Sequence, residues 1–94
     1  MNERAKELAM DTYRRRAADN AALIRLLSDG LLAHAEATSA DRVNWDRAGD
    51  IGHVRNELIE LLMFISGRDR LDIEQHLDQT RDLARDLPED QATH

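Results

Sequence analysis

The chain has 94 residues with four glycines, one proline and no cysteine, and its formal net charge is −6. This length allows one modest domain, and so few turn-forming residues exclude a β-sandwich of many short strands. The absence of cysteine excludes disulfide staples and thiolate metal sites and suits a reducing cytoplasm. No apolar run approaches the roughly 18–20 residues that cross a bilayer. We therefore expect one all-α, soluble, cytoplasmic domain over residues 1–94, with no membrane association.

The first predicted helix covers residues 2–37. Its apolar positions recur at spacings of three and four, which is typical of an amphipathic helix: Tyr13, Ala17, Ala21, Ile24, Leu27, Leu31 and Ala35. The large apolar side chains concentrate in its C-terminal half, so we expect the core there. Gly30 costs up to about 1 kcal/mol inside a helix relative to alanine, which predicts a bend or a close neighbouring helix at this point.

The second and third predicted helices cover residues 43–66 and 70–87. Ser39, Asp41 or Asn44 is expected to cap the second helix, and Gly67 is expected to end it in a left-handed conformation. Asp69 or Asp72 is expected to cap the third. Pro88 stops that helix and leaves a polar tail over residues 88–94. The apolar seam of the second helix is Ile51, Val54, Leu58, Leu61 and Ile65, and that of the third is Ile73, Leu77, Thr80, Ala84 and Leu87.

The helices differ in length. At about 1.5 Å per residue the first reaches roughly 50 Å and the second about 35 Å, so an antiparallel bundle of one chain leaves part of the first helix uncovered. Two-fold dimers are the commonest oligomers. The sequence therefore predicts a three-helix antiparallel bundle with a long first helix, completed by homodimerisation.

Acidic residues dominate the end of the chain, because residues 69–94 hold 8 acids and 3 bases whereas residues 1–68 hold 11 and 10. Four acids follow one another at spacings of four on the third helix: Glu74, Asp78, Asp82 and Asp86. This stripe is typical of a solvated face, and it also suits a basic surface on another protein. Trp45 stands beside the small residues Ala48, Gly49 and Gly52, a notch that favours either close helix packing or an interface anchor.

Two other groups of residues suggest other functions. Arg14, Arg15 and Arg16 form a basic run that suits phosphate contacts in a nucleic-acid-binding dimer. Consecutive helical residues point in different directions, and the chain is acidic overall, so we expect nucleic-acid binding to be the minor alternative. Asp50, His53 and Glu57 share one helical stripe and resemble half of a carboxylate-bundle metal site, although the matching ligands from a second helix are missing.

The residues of the second helix also carry a resemblance. The run Asn44-Trp45, Gly49-Asp50, Gly52-His53-Val54, Leu58, Phe64 and Gly67 resembles small helical proteins of bacterial phages and plasmids, over residues 44–67. The resemblance implies an accessory protein of a mobile element. Some accessory proteins of this kind inhibit a host defence system by binding one of its components. No glycine-rich phosphate loop, nucleophile elbow or cysteine is present, so we expect no enzymatic activity and no cofactor.

The leading hypothesis is therefore a non-enzymatic, acidic, helical interaction protein that is homodimeric. In this hypothesis it binds a protein partner through Trp45 and the four acids, and it inhibits a host defence system by covering a basic, nucleic-acid-binding surface. A dimeric nucleic-acid-binding regulatory or architectural protein and a metal-binding bundle are the alternatives.

Overall fold

The computed structural model describes residues 2–38 and 44–86, and all the regular structure in these two ranges is helical. The helices are α1 (Glu3–Ala37), α2 (Trp45–Ser66) and α3 (Arg70–Asp86). The prediction of an all-α fold with three helices and a long first helix is thus confirmed. Residues 43 and 87, the alternative caps Ser39 and Asp41, and the predicted tail over 88–94 lie outside the described residues. Within the two described ranges, no helix combines the length and the hydropathy needed to span a membrane.

The chain separates into two compact units, residues 1–43 and residues 44–94. The prediction of a single domain stays a prediction. The first unit contains α1, which begins where the Asn2 side chain accepts a hydrogen bond from the backbone N–H of Ala5 at 2.7 Å. The helix continues through Gly30 without interruption. No heavy atom lies within 4 Å of the position that a Cβ would take at Gly30, so no packed neighbour requires glycine there.

The second unit contains α2 and α3, which are capped by short polar side chains. Asn44 is the cap of α2, because its Oδ1 accepts from the N–H of Arg47 at 2.9 Å. Asp69 caps α3 in the same manner, accepting from the N–H of Asp72 at 2.8 Å. The alternative of Asp72 as the cap is therefore wrong, and Asp72 lies in the first turn, where a carboxylate is favoured by the helix dipole.

Packing between α2 and α3 buries few apolar side chains. Ile59 on α2 and Ile73 on α3 are each only 3% exposed, and they are the buried apolar residues of the described ranges. Most of the predicted apolar seam of α2 is not buried against α3, since Leu58, Leu61 and Ile65 are exposed. Ile59 lies about 100° around the helix from Leu58, so the face of α2 that meets α3 is rotated from the most apolar one.

The turn between α2 and α3 depends on Gly67. Its φ of 75° is left-handed, and its N–H donates to the carbonyl of Met63 at 3.0 Å, as the sequence predicts for a C-terminal cap. Because a side chain in this conformation is strained, we expect Gly67→Ala to lower the free energy of unfolding by about 1–2 kcal/mol. Gly49→Ala is the matched control within α2, where the added Cβ meets nothing within 4 Å. Gly49→Ala should raise the free energy of unfolding by roughly 0.5–1 kcal/mol.

Both changes are measurable by urea unfolding followed by circular dichroism. Equal effects of the two alanines would contradict the role assigned to Gly67.

Candidate interaction surface

Two polar links join α2 to α3 beside the buried isoleucines. Arg55 donates to the carboxylate of Glu74, and Arg70 donates to the Oδ1 of Asn56 at 2.9 Å. Asn56 is half-buried, and its amide nitrogen lies 3.4 Å from the carboxylate of Glu60. Glu74 was predicted as part of a partner-binding stripe, and the structure also places it in the contact between the two helices. Nothing in the spacing of the sequence indicates these links, because they join residues 14 and 19 positions apart.

The position of Glu74 among arginines lowers the pKa of its carboxyl group. The hydrogen bond from Arg55 is the largest cause, and the charges of Arg55, Arg70 and Arg81 lower the pKa further, whereas partial burial acts in the opposite direction. The ionised form is therefore the one that the folded hairpin favours. A carboxyl group with a depressed pKa stabilises the fold above its unfolded pKa, and this contribution is lost as the pH falls through the folded value.

Glu74→Gln should therefore destabilise the α2–α3 hairpin at neutral pH and have little effect in acid. The measurement is urea unfolding of both proteins at pH values from about 7 to about 3. The difference in unfolding midpoint between wild type and variant should be largest at the neutral end and vanish once the carboxyl is protonated. A difference that is constant across this range would mean that the charge of Glu74 contributes nothing to the hairpin.

Asp78 and Asp82, two further acids of the predicted stripe, are exposed on α3. Asp78 pairs with Arg81, and Asp82 pairs with Arg85 at 2.9 Å, each one turn along the same helix. Asp86 belongs to the last turn of α3. Both described pairs are solvent-exposed, and exposed pairs of this kind contribute at most about 1 kcal/mol. The arginines reduce the net negative charge of the stripe, so a basic partner would compete with them for the same carboxylates.

Trp45 is the most exposed large apolar side chain among the described residues of the second unit. The indole is 91% exposed, and Trp45 is the first residue of α2, which the Asn44 cap holds in place. The predicted notch beside it is open, because no heavy atom lies within 4 Å of a Cβ built at Gly49 or Gly52. Packing within the chain therefore does not account for these two glycines. An exposed indole next to an open notch suits the predicted role of an interface anchor.

The basic run of α1 does not form a single basic face. Arg14, Arg15 and Arg16 are exposed, and each points about 100° around the helix from the one before it. Asp11 lies one turn away, with its Oδ1 3.9 Å from a guanidinium nitrogen of Arg14. The three side chains therefore cannot all approach one phosphate backbone from the same side of α1.

The predicted metal stripe lies on the solvent face of α2. Asp50, His53 and Glu57 are all exposed. Across the two described ranges, no group of three or more His, Asp or Glu side chains is placed to hold a metal ion. The metal-binding alternative thus stays a prediction that no geometry in these ranges supports.

Both units expose many large apolar side chains. Seventeen large apolar side chains of the described residues are exposed. On α1 these are Leu8, Met10, Tyr13, Leu23, Ile24, Leu26, Leu27 and Leu32. On the second unit they are Trp45, Ile51, Leu58, Leu61, Leu62, Phe64, Ile65, Leu71 and Leu83. So many exposed large apolar side chains are typical of proteins that bury them against another chain.

No family model, curated protein or solved structure matches the chain. The resemblance of residues 44–67 to small phage and plasmid proteins therefore stays a prediction.

Proposed function

We propose that the protein is a non-enzymatic interaction module, a helical homodimer that binds another protein through α3 and the start of α2. The observation that carries the proposal is the imbalance between two buried isoleucines and seventeen exposed large apolar side chains in the described ranges. Each large side chain gains roughly 1.5–3 kcal/mol when it is fully buried. A chain that leaves so many in water has a strong driving force to associate.

Self-association accounts for one part of this surface. The antiparallel three-helix bundle stays a prediction; for the assembly we propose a homodimer, in which each copy covers apolar side chains that the other leaves exposed without a further protein. The surface left over after dimerisation is then available to the partner.

The partner that we propose presents a basic surface with an apolar pocket. The support is the co-occurrence of Trp45 with exposed carboxylates on the other helix of the same unit. Because arginines already pair with Asp78 and Asp82, charge contributes more to the rate of encounter than to affinity, and the indole contributes most of the affinity. The prediction that the partner is a nucleic-acid-handling protein of a host defence system rests on the resemblance alone.

The test compares two charge variants of the tagged protein in pull-downs from lysate of its native host. The first variant carries Asp78→Asn and Asp82→Asn, which remove charge from α3 without changing the size of the side chains. Glu74 is left intact because it links α3 to α2. We expect the partner to be recovered by the wild type, and the variant to bind it more weakly and with a smaller dependence on salt.

The matched control carries Glu7→Gln and Glu57→Gln, which remove the same charge from exposed positions on α1 and α2. Recovery of the partner by this control should equal that of the wild type. The proposal fails if both pairs of substitutions weaken recovery equally, since the effect is then one of net charge. It also fails if only nucleic acid is recovered.

A further inference from the structure

One face of α1 contains a stripe of residues with the spacing of a coiled coil, most of them exposed. From residue 10 to residue 34 the positions alternate in steps of three and four, and six of them are apolar: Met10, Tyr13, Ala17, Ile24, Leu27 and Leu31. Asn20 and His34 complete the series, which we name the α1 seam; Leu31 and His34, at its C-terminal end, are half-buried within the chain. The helix is continuous over the whole seam, so the seam is about 36 Å long. Two such seams can interlock by knobs-into-holes packing.

We propose that the α1 seam pairs with the α1 seam of a second copy of the chain, and that the two helices run antiparallel. The proposal rests on the self-association put forward above and adds the interface and its direction to it. Charge, side-chain size and the position of Asn20 each bear on the direction.

Charge disfavours the parallel arrangement. Arg14 and Arg16 flank the seam on its two sides, and both are exposed. Two parallel copies place four of these guanidinium groups at one level of the dimer, where like charges repel. In an antiparallel pair centred on Ala22, each Arg14 lies beside Ser28 of the second copy and each Arg16 lies beside Gly30. The antiparallel direction thus separates the two basic runs and gives the glycine a neighbour with a long side chain.

Side-chain size favours the same direction. An antiparallel pair centred on Ala22 places Ala17 opposite Leu27 of the second copy and Tyr13 opposite Leu31, so that small and large residues alternate across the seam. A shallow depression lined by Ala9, Met10, Tyr13 and Arg14 lies at the end that receives Leu31. A parallel pair instead stacks Ala17 on Ala17, which leaves a gap in the interface.

Asn20 is also compatible with the antiparallel direction. In the pair centred on Ala22 each Asn20 faces Ile24 of the second copy, so the two Asn20 residues lie in adjacent layers on either side of the two-fold axis, about 6 Å apart along the helices. Their amide groups are then within reach of one another. A contact between the two amide groups across adjacent layers favours this register over those that separate them.

Cysteine cross-linking tests the direction, because the natural chain has no cysteine. Seam Cα atoms of two helices whose axes are 8–10 Å apart lie about 5 Å from each other, which permits a disulfide. Positions 17 and 27 are about 15 Å apart along one helix, which does not. We prepare Ala17→Cys and Leu27→Cys as separate proteins and oxidise each alone and as an equal mixture.

The expected result is a covalent dimer in the mixture and none with either protein alone. Covalent dimers with each protein alone, and no mixed dimer, would show a parallel pair and overturn the direction. The absence of cross-links in all three samples would overturn the interface.

A second measurement keeps the result independent of cysteine chemistry. Leu27→Glu, in the seam, should shift the protein from dimer to monomer in sedimentation analysis. Leu26→Glu, its exposed neighbour outside the seam, should leave the dimer intact. Equal behaviour of the two variants would contradict the proposal. These outcomes are separate from partner recognition, which is tested on α3 and survives if the α1 interface is wrong.

Discussion

Ile73→Ala should unfold the α2–α3 hairpin. Truncating a buried isoleucine to alanine costs about 2–5 kcal/mol, because the lost transfer free energy is joined by the cost of the cavity. In the described ranges only Ile59 and Ile73 are buried apolar residues, so few other contacts can compensate for the loss of the Ile73 side chain. A unit of this size has little stability to lose. We expect the variant to lose much of the α3 helical signal in circular dichroism at room temperature, with a lower unfolding midpoint for what remains.

Leu83→Ala on the same helix is the control. Leu83 is exposed, so its truncation should change the free energy of unfolding by less than about 0.5 kcal/mol. If the two alanines were equally destabilising, the stability of α3 would not depend on the burial of Ile73. If neither had an effect, the hairpin would not be a cooperative unit.

The boundaries of the helices could be predicted because local chemistry determines them. Asn44 and Asp69 were among the expected caps, and Gly67 was the expected left-handed residue; each acts on backbone groups three or four residues away. The choice between Asp69 and Asp72 could not be made from sequence, since both offer a carboxylate to the same turn. The geometry of the turn after Gly67 decides it in favour of Asp69.

The buried face of α2 was harder to predict. The seam from Ile51 to Ile65 is the most apolar stripe, yet Ile59 is the residue that α3 covers. The turn at Gly67 fixes the direction from which α3 approaches, and periodicity contains no information about that direction. The same limit applies to Glu74, whose partner Arg55 lies on another helix.

The acidic stripe shows a different limit. Spacing correctly places Asp78 and Asp82 on exposed positions of one helix, but it does not reveal that Arg81 and Arg85 turn back onto them. A count of acids therefore overstates the negative charge that a partner meets. Trp45, by contrast, could be identified from sequence as a candidate anchor; it is 91% exposed, and its role stays a prediction.

Trp45→Ala should weaken partner binding without destabilising the protein. An indole that enters a pocket at the centre of an interface commonly contributes about 2 kcal/mol or more, which corresponds to a loss of roughly 30-fold in affinity. Because Trp45 is almost fully exposed in the single chain, its removal should change the free energy of unfolding by less than about 0.5 kcal/mol. Calorimetric titration with the partner recovered by the wild-type chain measures the first quantity, and urea unfolding measures the second.

Phe64→Ala provides the comparison that locates the contact. Phe64 is an aromatic residue on the same helix, is 85% exposed, and lies 19 residues from Trp45, or about 28 Å along α2. The proposed surface joins the start of α2 to α3, so the loss of Phe64 should change affinity by less than about threefold. A large loss with Phe64→Ala and none with Trp45→Ala would place the partner at the other end of α2. Equal losses would point to nonspecific apolar attraction, which does not distinguish one exposed aromatic ring from another.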